Sequence, residues 1–353
     1  MSSRSGLEIP FSVSHSHAPL RLLELPPELL ELLTASPPTT VKLKSAASDT
    51  GTLEAALCTP NKTYQLRQVQ TSNSLYVVAP SSTASNKSND HSEPSVTTFA
   101  QCNWTLEVLE APSQSALPYM KQLIPLYTGP DDIDLLTKAD FKTKSTVFSD
   151  IPLSDAECEQ VWTDIMAFED RDRKASFRPS EKILTKAWAA MVLSAVEKTI
   201  DLSEGLKATD VEDVTSALDE VPPELALAAV KRLLPSEQQR LLINTPLSEI
   251  DPTTTFTLDQ AQTVRSVGTW LVKSLAETTQ AELIRQWQNL LPEPWRENAQ
   301  LSAIEGVYQI SSDGKVTPIS NTSQNGASKA ATAPDGTAAK RKWHEKFAQA
   351  RKR

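Results

Sequence analysis

Through the first third of the chain, hydrophobic and polar positions alternate. Val41 and Leu43 oppose Lys42 and Lys44, and Leu53, Ala55 and Leu57 share one face. Tyr64 and Leu66 oppose Thr63, Gln65 and Arg67. Ala100, Cys102, Trp104, Leu106 and Val108 alternate with Gln101, Asn103, Thr105 and Glu107, and Leu75 to Val78 is a short continuous apolar run. Period two marks half-buried strands. A short helix at Glu28 to Leu33 interrupts them, its start marked by Pro26-Pro27. Residues 81–95 are rich in Ser and Asn with little to bury, the composition of a mobile loop. Five or so strands make half a barrel or sandwich, and its open edges need a partner to cover them.

After about Pro112 the period changes to 3.6. Ser154 and Glu157 form a capping box ahead of Cys158, Val161, Trp162, Ile165 and Met166, one face of a helix. Leu184, Trp188, Met191 and Ala195 repeat the spacing. Thr209 with Glu212 is expected to open a helix bearing Val211, Val214 and Leu218, and Pro222-Pro223 one bearing Leu225, Val230, Leu233 and Leu234. Thr257 with Gln260 is expected to cap a helix with Val264, Gly268 and Leu271, and Thr279 with Glu282 one with Leu283, Trp287 and Leu291. A third helix is expected after Pro294-Trp295. Then 307–310 and 315–319 flank Ser312-Asp313-Gly314, a hairpin turn. Three helices followed by a β-hairpin is the winged-helix order, and the earlier helical blocks read as degenerate versions of it.

The chemistry is limited by composition. With 9 Gly against 24 Pro in 353 residues, the chain has no G-x-G-x-x-G, G-x-x-x-x-G-K or G-x-S-x-G, so Rossmann, P-loop and nucleophile-elbow enzymes are excluded. Three scattered cysteines (Cys58, Cys102, Cys158) and four histidines offer no zinc-ligand spacing and read as reduced thiols of a nuclear or cytosolic protein. Residues 1–19 lack a signal-peptide core, and the longest apolar stretch, 187–196, is too short to span a bilayer, so a soluble intracellular protein is expected. Asp131, Asp132 and Asp134 lack the calcium-loop pattern and read as acids at a helix N-terminus.

Charge is distributed unevenly. Lys340, Arg341, Lys342, Lys346, Arg351, Lys352 and Arg353 face a single acid, Glu345, and leave 28 cations against 43 acids in the rest of the chain. This basic end on an acidic body fits a nuclear-import signal and DNA binding alike. The helix expected near 295–304 is different: Glu293, Glu297 and Glu305 around Arg296 provide no positive field for phosphates, which argues for a protein contact or a structural wing. Trp104, Trp162, Trp188, Trp270 and Trp287 fall mostly within apolar periodicity and read as core rather than base-stacking platforms.

One run is specific. Residues 58–78, Cys-Thr-Pro-Asn-Lys-Thr-Tyr-Gln-Leu-Arg-Gln-Val-Gln-Thr-Ser-Asn-Ser-Leu-Tyr-Val-Val, resemble the signature of the Dcc ("defective in sister chromatid cohesion") family, a subunit of the cohesion-type alternative clamp loader. The resemblance lies in Lys62-Thr63-Tyr64, Leu66-Arg67 and Thr71-Ser72-Asn73 before an apolar strand. It extends to Leu22 to Leu33 and to Phe148 to Ser154, and covers most of 20–320 in order. It implies an α+β, multidomain chain: an N-terminal β half-barrel completed by partner subunits, then tandem winged-helix domains. The expected divisions are a disordered leader at 1–19, the partner-binding β domain at 20–111, and a linker at 112–144. A degenerate winged-helix region at 145–256, a winged helix at 257–319, a disordered linker at 320–339 and a basic terminal helix at 340–353 follow.

The family has no enzymatic activity and no cofactor. The resemblance implies a nuclear protein that supports loading or unloading of the sliding clamp during replication and sister chromatid cohesion. Its implied partners are the two chromosome-transmission-fidelity subunits and, indirectly, the clamp PCNA and DNA polymerase epsilon, with DNA a further possibility and no membrane. Lys62, Thr63, Tyr64, Leu66, Thr71, Ser72, Asn73, Leu75 and Val77 are the expected partner-binding residues, although Thr71 to Ser74 also suit plain turn chemistry. Two other classes fit the composition, a winged-helix DNA-binding or transcription-type factor acting alone and an accessory subunit of a nuclear nuclease. The acidic body disfavours the first, and the second lacks the 58–78 signature.

Overall fold

The computed structural model describes residues 9–13, 18–47, 53–81, 95–130, 141–216, 218 and 220–319. The expectations for the loop within 82–94, for Asp131, Asp132 and Asp134, and for 320–353 with its basic end lie outside them.

The alternating segments build a six-stranded sheet from β1 (Phe11–Val13), β2 (Leu22–Glu24), β3 (Lys42–Ala47), β4 (Leu53–Cys58), β5 (Thr63–Ser81) and β6 (Ser95–Glu110). Its order is β1-β6-β5-β4-β3, with β2 also on β6. The sheet is open and does not close on itself. Two expected strands, Tyr64–Arg67 and 75–78, are one long strand. Thr71 to Ser74 form no turn: Gln70 faces Trp104 and Leu75 faces Cys102, so four residues of β5 bulge opposite Asn103 alone. The Ser74 hydroxyl donates to Asn103 Oδ1 (3.0 Å) and accepts from Gln101 Nε2 (2.9 Å), which holds the bulge. The leader is not wholly unstructured, because β1 pairs in parallel with 96–98 of β6. One face of the sheet is closed by α1 (Pro27–Thr34), whose Leu29 packs on Leu57, Tyr64 and Val108.

The remainder is a helical body. Its first part contains α2 (Leu117–Leu123), β7 (Leu126–Tyr127), α3 (Lys144–Asp150), α4 (Asp155–Asp164), β8 (Phe168–Asp170) and β9 (Ala175–Pro179). Within the expected linker of 112–144, the described residues 112–130 supply a helix with a fully buried Met120, and a strand. The second part has α5 (Glu181–Glu197), β10 (Gly205–Lys207), α6 (Ala208–Ser216), α7 (Pro223–Leu233), α8 (Ser236–Asn244) and β11 (Thr255–Thr257). The third has α9 (Gln260–Ser274), β12 (Thr278–Thr279), α10 (Gln280–Asn289), two 3-10 turns (Glu293–Asn298 and Leu301–Ile304), β13 (Tyr308–Ile310) and β14 (Lys315–Pro318). The first and third parts share a chain order, helix–strand–helical segment–hairpin, and a sheet order, β7-β9-β8 against β12-β14-β13. They differ in that β7 runs parallel to β9 whereas β12 runs antiparallel to β14.

These parts are not discrete winged-helix domains. One buried core runs from Tyr127 and Phe168, on the strands of the first part, through Trp188 and Phe256 to Trp287 and Val316, while α2, α3 and α4 pack around a second one that includes Met120, Phe148 and Trp162. The indole of Trp188 on α5 donates to the Leu290 carbonyl at 2.7 Å, joining the second part to the third. Where the capping residues were legible the helices start as expected: Ser154 with Glu157, and Thr279 accepting from the Glu282 amide. Thr257 instead lies in β11 opposite Gly205, and Asp259 caps α9. In α6, Asp210 accepts from the Lys207 amide, so Thr209 is no cap.

Gly268 on α9 lies directly against α10. A Cβ there would overlap the indole of Trp287, which is fully buried and donates to the Val264 carbonyl at 3.1 Å. Gly268→Ala is expected to destabilise the protein by about 1–3 kcal/mol, the range of core overpacking, as measured by urea denaturation.

Candidate partner interface

The specific run of the sequence divides into two ends with different surroundings. At its first end, β5 is fastened to the helical body. The Thr63 hydroxyl donates to the Glu157 carboxylate and accepts from the Ser154 amide (2.7 Å), so it joins the capping box that starts α4. Tyr64 is 3% exposed and packs in the cluster of Leu29, Leu57 and Val108. Lys62 lies 5.5 Å from the centre of the Tyr64 ring and pairs with Glu110 at 2.6 Å and Glu28 at 3.7 Å. Leu66 is half-buried against the same cluster. Thr63 and Tyr64 therefore face the interior of this chain, and Lys62 covers them.

Beside them is a residue that the sequence reading passed over. Lys44 alternates as a polar position of β3, yet its ammonium is buried. It donates to the Phe148 carbonyl (2.8 Å), the Leu153 carbonyl (2.6 Å) and Asp155 Oδ1 (3.0 Å). Lys42, one strand pitch away, reaches Asp155 Oδ2 at 2.6 Å. Period two alone does not distinguish a lysine aimed at solvent from one aimed at the exposed carbonyls ending a helix. The only signal in the sequence was Asp155, an acid at a helix start with no near cation of its own.

Burial pushes the Asp155 carboxyl up, but the hydrogen bonds from Lys42 and Lys44 outweigh it and hold the group below the ordinary carboxylate range. A depressed carboxylate stabilises the fold fully above its unfolded value, about 3.9, and that contribution is lost as pH falls through the folded value. Stability is therefore expected to be insensitive to this group between pH 7 and about 5. Below about pH 4, wild type should lose more stability than Asp155→Asn, a difference measured by denaturation at stepped pH. The neighbouring thiols are unreactive: burial raises Cys58, and pushes Cys158 up to about 12.

The second end of the run is different. β4 pairs with β5 only through Ala56–Gln65, Leu57–Tyr64 and Cys58–Thr63. Among the described residues no strand pairs with 66–81 on that side, and 53–55 of β4 pair only with β3. The two strands thus diverge and leave a notch with unpaired backbone on both walls. Around it the apolar surface is exposed: Leu75 is 45% accessible, Tyr76 49%, Val78 42%, Phe11 55% and Leu43 73%. Ser72 and Asn73 are exposed on the bulge, and Val77 is half-buried. Of 18 large exposed apolar residues among the described ones, 10 belong to this sheet and its helix α1, and Ile9 and Leu20 lie just ahead of its first two strands. An open strand edge beside such a patch is a surface made to be covered.

This arrangement can be set against known families. The model of the family described as sister chromatid cohesion protein Dcc1 matches residues 20–328. The chain belongs to that family. The match covers both the sheet and the helical body, so membership does not rest on the 58–78 run alone. A comparison with curated protein sequences finds no match. Dcc1 proteins are non-catalytic and act in sister chromatid cohesion with clamp-loader-type complexes, and the chain is a non-catalytic member of that kind. Among the described residues no group of three or more His, Cys, Asp or Glu is placed to hold a metal, and no helix is long and apolar enough to cross a membrane.

Proposed function

We propose that this chain is the subunit of an alternative clamp loader whose open sheet is completed by strands of the two chromosome-transmission-fidelity subunits. The observation that carries the reading is the unpaired edge of β5 over 66–81 with its exposed Leu75, Tyr76 and Val78. Added strands would pair backbone to backbone along that edge and bury the side chains, turning the open sheet into a barrel shared between chains. Of the partner-binding residues, Leu66, Ser72, Asn73, Leu75 and Val77 are then the ones available to a neighbour, with Thr71 on the same strand. Lys62, Thr63 and Tyr64 set the angle at which the sheet leaves the helical body.

In this reading the helical body acts as three fused winged-helix units. The third has the full order, and its hairpin turns at Gly314, where φ is +79°. The complex would couple loading or unloading of PCNA to DNA polymerase epsilon in the nucleus. The seven cations of 340–353 would serve import or a DNA contact. ATP chemistry would belong to the partners, since the chain has no phosphate loop.

Co-expression of the full chain with the two partner subunits tests the proposal. A single stoichiometric complex on size exclusion is expected. Elution of this chain apart from both partners would refute it.

A further inference from the structure

A second surface, which shares no residue with the open sheet, has an organised charge pattern. Where the first part of the helical body meets α9, a cleft of about 870 Å³ opens between α2, β9, α7 and α9. Five cations from these elements line it: Lys121, Arg178, Arg232, Arg265 and Lys273. Two of them have carboxylate partners, both at long range: Arg232 with Asp164 at 3.6 Å and Lys273 with Glu181 at 3.8 Å. The other three have none among the described residues. Arg178 donates through Nε to the Ile124 carbonyl (3.2 Å), and Arg265 through Nη1 to the Ala303 carbonyl (3.1 Å). Lys121 is exposed on α2 and makes no hydrogen bond to a described residue. Three uncompensated cations from three elements converge on one cleft in a chain of net charge −9.

The floor between them is apolar. Leu126 is 41% exposed there, with Ile165 and Val307 partly accessible beside it and Trp270 buried beneath. Its volume lies within the range of ligand sites and exceeds what one small anion needs. We propose that the cleft docks an extended peptide segment of a partner protein in which acidic residues alternate with apolar ones. Carboxylates would meet Lys121, Arg178 and Arg265, and apolar side chains would cover Leu126 and Val307. Asp164 and Glu181 are paired with Arg232 and Lys273 and Asp259 caps α9, which leaves Lys121, Arg178 and Arg265 for an anionic ligand. A nucleic acid is disfavoured because its unbroken phosphate backbone would run on beyond the cleft, and residues 1–339 carry 43 acids against 28 cations. This site is independent of strand addition at β5, so the two proposals stand or fall separately.

The test is a selection from a random peptide-display library on the full-length chain, counter-selected against the double variant Lys121→Glu, Arg265→Glu. Enrichment of peptides that alternate Asp or Glu with Leu, Ile or Phe is expected. A fluorescein-labelled synthetic copy should bind wild type and lose roughly tenfold or more in affinity for the double variant, with thermal unfolding unchanged. Failure to enrich any peptide, enrichment without acidic bias, or equal affinity for the variant would overturn the proposal. So would a single-stranded oligonucleotide that binds wild type more tightly than the peptide and loses that affinity on the same charge reversal, which would make the cleft a nucleic-acid site.

Discussion

Replacing Leu75 and Val77 together by aspartate is expected to abolish recovery of the partner subunits while leaving the chain folded. Leu75 is 45% exposed and Val77 half-buried beside the unpaired edge, so neither is needed by the chain's own core. Full burial of such a side chain is worth about 1.5–3 kcal/mol, and the part of each that is still exposed accounts for about half of that or less. Losing both therefore costs about 1–2 kcal/mol, and the desolvation of two carboxylates under the added strand brings the loss to about 3 kcal/mol or more, a factor of about a hundred in affinity. The measurement is co-purification of the tagged chain with its partners, with circular dichroism as the check on folding. Tyr64→Ala should behave in the opposite manner. Tyr64 packs inside the chain, and removing its ring should cost about 3–5 kcal/mol of folding stability, as large-to-small core changes do.

Lys44→Met is expected to loosen the sheet from the helical body. The substitution keeps the length of the side chain and removes three hydrogen bonds that the ammonium donates, two of them to the carbonyls of Phe148 and Leu153. Breaking a buried ion pair by removing one partner costs about 3–5 kcal/mol. Here Asp155 is 39% exposed and keeps Lys42, so about 2–3 kcal/mol is the expected loss in urea denaturation. Lys44→Arg should not restore it, since the wider guanidinium does not fit a site built for a point charge between two carbonyls. A loss confined to the 20–111 segment, seen as faster proteolysis there, would locate the effect at this joint.

Local patterns made much of this legible. Strand alternation, the Pro26-Pro27 helix start, the Ser154–Glu157 capping box and the Asp313-Gly314 hairpin each carry their cause within a few residues, and each is where the sequence places it. What the sequence concealed is non-local. The hairpin of β8 and β9 turns through Arg171 to Lys174 with no Gly or Asn, relying on Asp170 accepting from the Arg173 amide at 2.9 Å and on Lys174 at φ +51°. The bulge at Thr71 to Ser74 has the composition of a turn, and only the continued pairing with β6 reveals it as an interruption within one strand.

The candidate interface was legible in the same partial way. Residue types singled out β5, but alternation could not show that Thr63 and Tyr64 point inward while Leu75 lies in the open, because the strand's surroundings change along its length. Nor could spacing show that one core reaches into all three helical blocks. That depends on contacts such as Trp188 with Leu290, a hundred residues apart.

Amide hydrogen exchange along β5 tests the central claim most directly. In the chain alone, amides of 66–81 that point away from β6 should exchange rapidly, since no strand among the described residues pairs with β5 on that side beyond Gln65. In complex with the two partner subunits the same amides should be protected by about a hundredfold or more, as in a paired strand, while those of β6 change little. Exchange along 66–81 that is unaltered by the partners, in a complex shown to be intact, would contradict the account.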